Sequence, residues 1–132
     1  MRTLLDTHAW LWWVSEDRRL SSRARAAIDK SQHDEELWVS AISIWELAKR
    51  IEKDQLVLDR PLDQWLDVAV TMPGLHLAEL TRQILVDSCQ LPQPFPGDPA
   101  DQIIVATARR EAAVVVTKDR KIREYAHVRA LW

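Results

Sequence analysis

Gly97-Asp98-Pro99-Ala100-Asp101-Gln102-Ile103-Ile104-Val105-Ala106-Thr107-Ala108-Arg109-Arg110 reads as a helix start followed by a buried helix. Asp98 is a natural N-cap, since its carboxylate can accept from the free amides of the first turn. Pro99 falls at the first helical position, where a missing amide hydrogen costs nothing. Ile104, Val105, Ala108 and Ala112 then recur at helical spacing and describe an apolar face. Asp101 lies three and four residues before Ile104 and Val105, so it shares that inward face. A carboxylate aimed at a core needs compensation by a metal ion, a basic partner or the helix N-terminus. The plainer reading is a first-turn acid favoured by the helix dipole. The rest of the chain supplies three more acids in comparable settings.

The 132 residues suit one domain, and 47% hydrophobic with 29% charged residues suits a folded core. A net charge of -2 gives no global basic character, yet Lys118, Arg120, Lys121 and Arg123 gather around Asp119 alone. Such a local patch can bind phosphates on a mildly acidic protein. Cys89 is the only cysteine, which excludes an intramolecular disulfide and a thiolate metal cluster. No apolar run approaches the ~20 residues that span a bilayer, and the N-terminus has no signal-peptide layout. The expected location is cytoplasmic. Gly74 and Gly97 are the only glycines, so neither a P-loop nor a dinucleotide fingerprint can be written. The seven tryptophans are expected in the core or at an oligomer interface, with base stacking the alternative for one or two.

Outward from the opening stretch, strands and helices alternate. Strands are expected at Arg2–Leu5, Leu37–Val39, Leu75–Leu77, Ala113–Val116 and Val128–Leu131. Helices are expected at Thr7–Val14, from Ser21 or Ser22 to Lys30, from Ser40 or Ala41 to about Glu52, at Leu62–Val70 and at Thr81–Leu91. A helical turn covers Arg120–Ala126. Ile44, Leu47, Ala48 and Ile51 form an apolar stripe in the third helix, with Trp45 widening it. The alternation implies an α/β fold with a central parallel sheet covered on both faces. In such sheets ligands bind outside the carboxyl ends of the strands. Asp6 and Asp119 each fall just past a strand end, Asp101 in a first helical turn, and Glu46 about two turns into a helix. Spacing alone leaves open whether the four converge, and whether Glu46 is half-buried or solvated.

Clustered carboxylates without histidine or cysteine ligands suit Mg²⁺ or Mn²⁺, which prefer oxygen donors. Such an ion can activate water against a phosphodiester. Thr7 and Thr117 are placed to add hydroxyl support, and Lys118, Arg120, Lys121 and Arg123 to steer a phosphate backbone. Four acids packed together repel, so the metal-free site should be destabilised. His8, His33, His76 and His127 show no ligand spacing for zinc, and Ser40 and Ser43 no nucleophile motif.

Four blocks resemble PIN-domain ribonucleases, and more narrowly VapC-type toxins: Leu4-Leu5-Asp6-Thr7-His8, Ser43-Ile44-Trp45-Glu46-Leu47-Ala48, Asp98 through Ala108, and Val116-Thr117-Lys118-Asp119. The resemblance spans essentially the whole chain, so residues 1–132 are expected to be a single PIN domain, a three-layer α/β/α sandwich. It implies a Mg²⁺-dependent endoribonuclease (Mn²⁺ as substitute) acting on RNA, a homodimer held inactive by a VapB-like antitoxin. By position, Asp6, Glu46, Asp101 and Asp119 match the family's acidic quartet, and Asp98 a frequent accompanying acid. His8 stands where asparagine or serine is common. The absence of a further acid after Asp119 implies one well-held ion and a weaker second. Two other readings compete: a catalytically silent PIN-like module kept for dimerisation or partner binding, and a phosphotransfer receiver, which lacks the Asp-x-Asp pair after its first strand.

Overall fold

A computed structural model describes residues 1–132. Five strands, β1 (Thr3–Leu5), β2 (Leu37–Ser40), β3 (Leu75–Ala78), β4 (Val114–Val116) and β5 (Arg129–Leu131), form one parallel sheet in the order β3-β2-β1-β4-β5. The chain starts in the middle, builds outward through β2 and β3, then crosses to β4 on the other side of β1. The crossing makes the carboxyl ends of β1 and β4 the topological switch point, where a crevice opens. Asp6 continues the β1–β4 ladder by donating its amide to the Val116 carbonyl at 3.0 Å.

Both faces of the sheet are covered. The side chains of Leu5, Leu37, Val39, Leu75 and Val116 pack with α1 (Thr7–Val14), α2 (Ser22–His33) and α4 (Leu62–Ala69). Leu4 and Val115 point the other way, into a core with Ile104, Val105 and Ala108 of α6 (Pro99–Arg110) and Ile122 of α7 (Arg120–Arg123). This is the period-2 alternation of a strand buried on two faces. The three-layer α/β/α arrangement expected from the sequence is therefore the observed one. Trp10 is fully buried between layers, its indole N–H donating to the Ala69 carbonyl. No helix is long and apolar enough to cross a membrane.

Element ends differ from expectation in an instructive way. Helix α2 runs three residues further, to His33, and Ser31 is buried against Thr3, their hydroxyls 2.6 Å apart. Ala112 is not part of the α6 face: the helix stops at Arg110, and Ala112 (φ 52°) is exposed. There the Ala113 amide bonds back to the Ala108 carbonyl at 2.8 Å and the Ala112 amide to that of Arg109 at 3.4 Å, a Schellman stop. Glu35 (φ 57°) and Asp54 (φ 56°) end α2 and α3 (Ala41–Glu52) likewise, with Glu36 bonding back to Ser31 and Gln55 to Arg50. Glycine usually marks such stops, and none stands here. Helix α5 (Arg82–Ser88) is shorter than expected, capped by Thr81. Trp45 is exposed rather than part of the α3 stripe, whose buried members are Ser43 and Leu47.

Candidate metal centre at the carboxyl edge of the sheet

Four elements deliver the four acids. Asp6 follows β1 and caps α1, its Oδ1 accepting from the Thr7 amide at 2.7 Å. Its Oδ2 accepts from the Thr117 hydroxyl at 2.6 Å. That same Thr117 oxygen accepts from the Asp119 amide at 3.0 Å, so one buried hydroxyl ties the acid after β1 to the acid after β4. Asp119 in turn caps α7, accepting from the Lys121 amide at 2.8 Å. Asp98 caps α6 by accepting from the Asp101 amide at 2.9 Å, which holds the first turn carrying Asp101. Gly97 is required just before it: a Cβ there would lie 2.1 Å from the Phe95 ring and 2.8 Å from the Asp101 Cβ. Glu46 projects from α3, bonded by the Thr7 hydroxyl, which also meets the Ser43 hydroxyl at 2.8 Å.

These side chains line one pocket of about 220 Å³ with no hydrophobic wall: Asp6, Thr7, His8, Glu46, Arg50, Asp98, Asp101, Asp119 and Lys121. A larger hollow of about 410 Å³ lies between α1, α4 and the Leu56–Arg60 loop. Its charged groups are paired locally, Asp17 with Arg19 and Asp59 with Arg60. Size does not single out the site; convergence of charge does.

The electrostatics follow from crowding. Asp101 is buried, and burial followed by the charges of Asp6, Asp98, Asp119 and Glu46 raises its carboxyl from 3.8 to about 7. Burial raises Glu46 above its ordinary value as well, against the opposing Thr7 hydrogen bond. Lys121 partly compensates, with Nζ 3.6 Å from Asp101 Oδ2 and 3.9 Å from Asp119 Oδ2. Burial lowers the His8 imidazole, and its Nε2 accepts from the Lys118 amide at 3.0 Å. A ring accepting at Nε2 carries its proton on Nδ1, the nitrogen 3.6 Å from Asp6 Oδ2.

All four acids singled out in the sequence reach this pocket, as do Thr7, Asp98 and Lys121. Thr117 lies fully buried beneath it. Lys118, Arg120 and Arg123 stay outside on the surface, with Arg120 held by Glu124 at 2.9 Å and Lys118 5.9 Å from the Trp12 ring. Two lining residues escaped the sequence reading. His8 shows no zinc-ligand spacing in the sequence, and the only local signal for Arg50 is its place at i+4 from Glu46, on the same helix face.

A doubly wound parallel sheet with carboxylates from four elements at its switch point defines a class of acidic, oxygen-donor α/β proteins. The chain belongs to the PIN domain family, which it matches over residues 3–128. It is 40% identical over 126 residues to Ribonuclease VapC22 of Mycobacterium tuberculosis, spanning 96% of this chain and 93% of that protein. In structure it resembles VapBC2 from Rickettsia felis bound to a promoter DNA fragment, with TM-score 0.72, 15% identity and coverage of 99% of this chain and 98% of that one. It also resembles DNA-bound VapBC from Salmonella typhimurium, with TM-score 0.69, 19% identity and coverage of 99% and 97%. At those identities the structural likeness speaks for the fold.

Proposed function

We propose that this protein is a divalent-metal-dependent endoribonuclease, the toxin of a VapBC-type pair, with Mg²⁺ as its ion and Mn²⁺ as a substitute. The observation that carries the reading is the convergence of Asp6, Glu46, Asp101 and Asp119 on one wholly polar pocket. Similarity to Ribonuclease VapC22 supports RNA as the substrate class. The names of the structural neighbours support a VapB-like antitoxin as partner. Homodimer formation, cytoplasmic location and one PIN domain over residues 1–132 complete the reading.

The donor set fits the ion. The five acids and Thr7 bring carboxylate and hydroxyl oxygens to the pocket beside the nitrogens of His8, Arg50 and Lys121. As they stand, no three of the acids are gathered closely enough to hold an ion by themselves. Mg²⁺ keeps several waters and is held by a few carboxylates, so an open acidic pocket suits it. Asp6, Asp101 and Asp119 would hold it, with Glu46 at the edge. Once bound, it supplies the Lewis acidity that activates water and stabilises a departing phosphodiester oxygen. The chain's own work is orientation. Thr117 fixes Asp6 against Asp119, and Thr7 aims Glu46. Lys118, Arg120, Lys121 and Arg123 contribute the positive field that draws the RNA backbone.

The test is total RNA incubated with the protein in Mg²⁺ and in EDTA, beside Asp6→Asn. Metal-dependent cleavage lost in the variant is expected. Cleavage unaffected by EDTA or by Asp6→Asn overturns the reading. Absence of both cleavage and Mg²⁺-dependent thermal stabilisation favours the silent partner-binding module.

A further inference from the structure

The pocket holds five carboxylates against two permanent cations, Arg50 and Lys121. A phosphodiester must enter this field, and even a bound divalent ion leaves no positive excess to receive it. What each cation is free to do then decides how the substrate is held. Lys121 is already engaged, its ammonium lying between the carboxylates of Asp101 and Asp119. Arg50 is not. It extends from α3 one turn beyond Glu46, and it is exposed. An i,i+4 Glu–Arg pair would ordinarily close on itself. Here Glu46 is turned toward Thr7 instead, and the neighbouring α3 ion pair belongs to Lys49 and Glu52 at 2.9 Å. The Arg50 guanidinium has no hydrogen-bonded carboxylate, carbonyl or hydroxyl partner, although it lines the pocket that gathers five carboxylates.

We infer that Arg50 is the residue that grips the RNA phosphate at the reaction centre. This rests on the ribonuclease reading and adds a substrate-binding residue to it, on α3 rather than in the basic patch beside Asp119. A guanidinium suits the task because its planar fork donates two parallel hydrogen bonds to phosphate oxygens. Its position fixes the backbone next to Glu46 and Asp6. The surface cations Lys118, Arg120 and Arg123, which do not line the pocket, act at longer range.

The experiment is initial-rate cleavage of end-labelled, fragmented total RNA by wild type, Arg50→Met and Arg50→Lys over a range of salt concentrations. Thermal stabilisation by Mg²⁺ without RNA is measured on the same three proteins. Arg50→Met is expected to raise KM roughly tenfold, as loss of one charged hydrogen-bonding partner does. It should also lessen the salt dependence of kcat/KM by about 0.7 in the log–log slope, the contribution of one phosphate contact to a single strand. Arg50→Lys recovers the slope but only part of KM, since it restores charge without the fork. Mg²⁺ stabilisation persists in both variants, because Arg50 offers no ligand to the ion. An unchanged KM and salt slope in Arg50→Met, with wild type active, overturns the assignment. So does loss of Mg²⁺ stabilisation, which would make Arg50 a support of the metal site. A wild type that neither cleaves RNA nor responds to Mg²⁺ removes the ribonuclease reading itself, a separate and recognisable failure.

Discussion

Replacing Asp101 with Asn removes one buried charge and keeps its shape, so it isolates the electrostatic cost of the metal-free site. In that state the folded protein holds a proton on Asp101 up to about 7, whereas the unfolded chain releases it near 3.8. Between these values the native state binds more protons than the unfolded one, so stability falls as pH rises, by at most about 1.4 kcal/mol per unit. The contribution is complete below the unfolded value and gone above the folded one. From about pH 5 upward roughly two units of that window remain, a ceiling of about 2.7 kcal/mol. Solvent reaches the open pocket and the Lys121 ammonium lies close by, so about half, roughly 1.4 kcal/mol, survives screening. In a chain of this length that corresponds to about 5 °C in Tm. The assay is urea and thermal unfolding in EDTA at about pH 5 and about pH 8, the two ends of the window, for both proteins. Wild type should lose about 1.4 kcal/mol more than Asp101→Asn across the interval; taking the difference cancels most of what Glu46 and the remote carboxylates contribute. Parallel pH profiles for the two proteins would refute the claim that acid crowding strains this site. Asp101→Asn should also be inactive on RNA while fully folded.

Thr117→Val keeps shape but deletes the hydroxyl joining Asp6 to the Asp119 amide; Mg²⁺ affinity by calorimetry should drop about 10–100-fold, and an unchanged affinity discards the orienting role. Lys121→Gln removes a partly exposed ion pair worth up to about 1 kcal/mol, so Mg²⁺ titration should show roughly fivefold tighter binding; weaker binding would mean that the ammonium helps hold the ion's ligands in place. Gly97→Ala drives a methyl into the buried Phe95 ring, and urea unfolding should show a loss of about 1–3 kcal/mol. Ala112→Gly relieves a left-handed alanine at the end of α6, and the same measurement should show a gain of about 1 kcal/mol; a loss would mean that the alanine methyl contributes more than its conformation costs.

Much of this architecture is legible in local pattern. Asp98 and Pro99 announce α6, the starts of α2 and α3 fall within one residue of their serine signals at Ser21 and Ser40, and the run Val114–Val116 marks a strand buried on both faces. The inward turn of Asp101 follows from its spacing to Ile104 and Val105, because helical periodicity places side chains whatever the fold. Helix ends were less legible, since Ala112, Glu35 and Asp54 take the left-handed conformation that glycine normally signals. What only tertiary structure decided is which charges meet. The order β3-β2-β1-β4-β5 sets β4 beside β1 and so bonds Thr117 to Asp6 across 111 positions of sequence, bringing Asp119 with it. The same packing turns Glu46 from a surface acid into a pocket wall, leaves Arg50 facing the acids without a partner, and seats His8 against the Lys118 amide. Local sequence determines backbone conformation and which face is apolar, since those depend on near neighbours. The electrostatics of the site depend on side chains far apart in sequence, and only the crossover of the sheet brings them within a few ångströms.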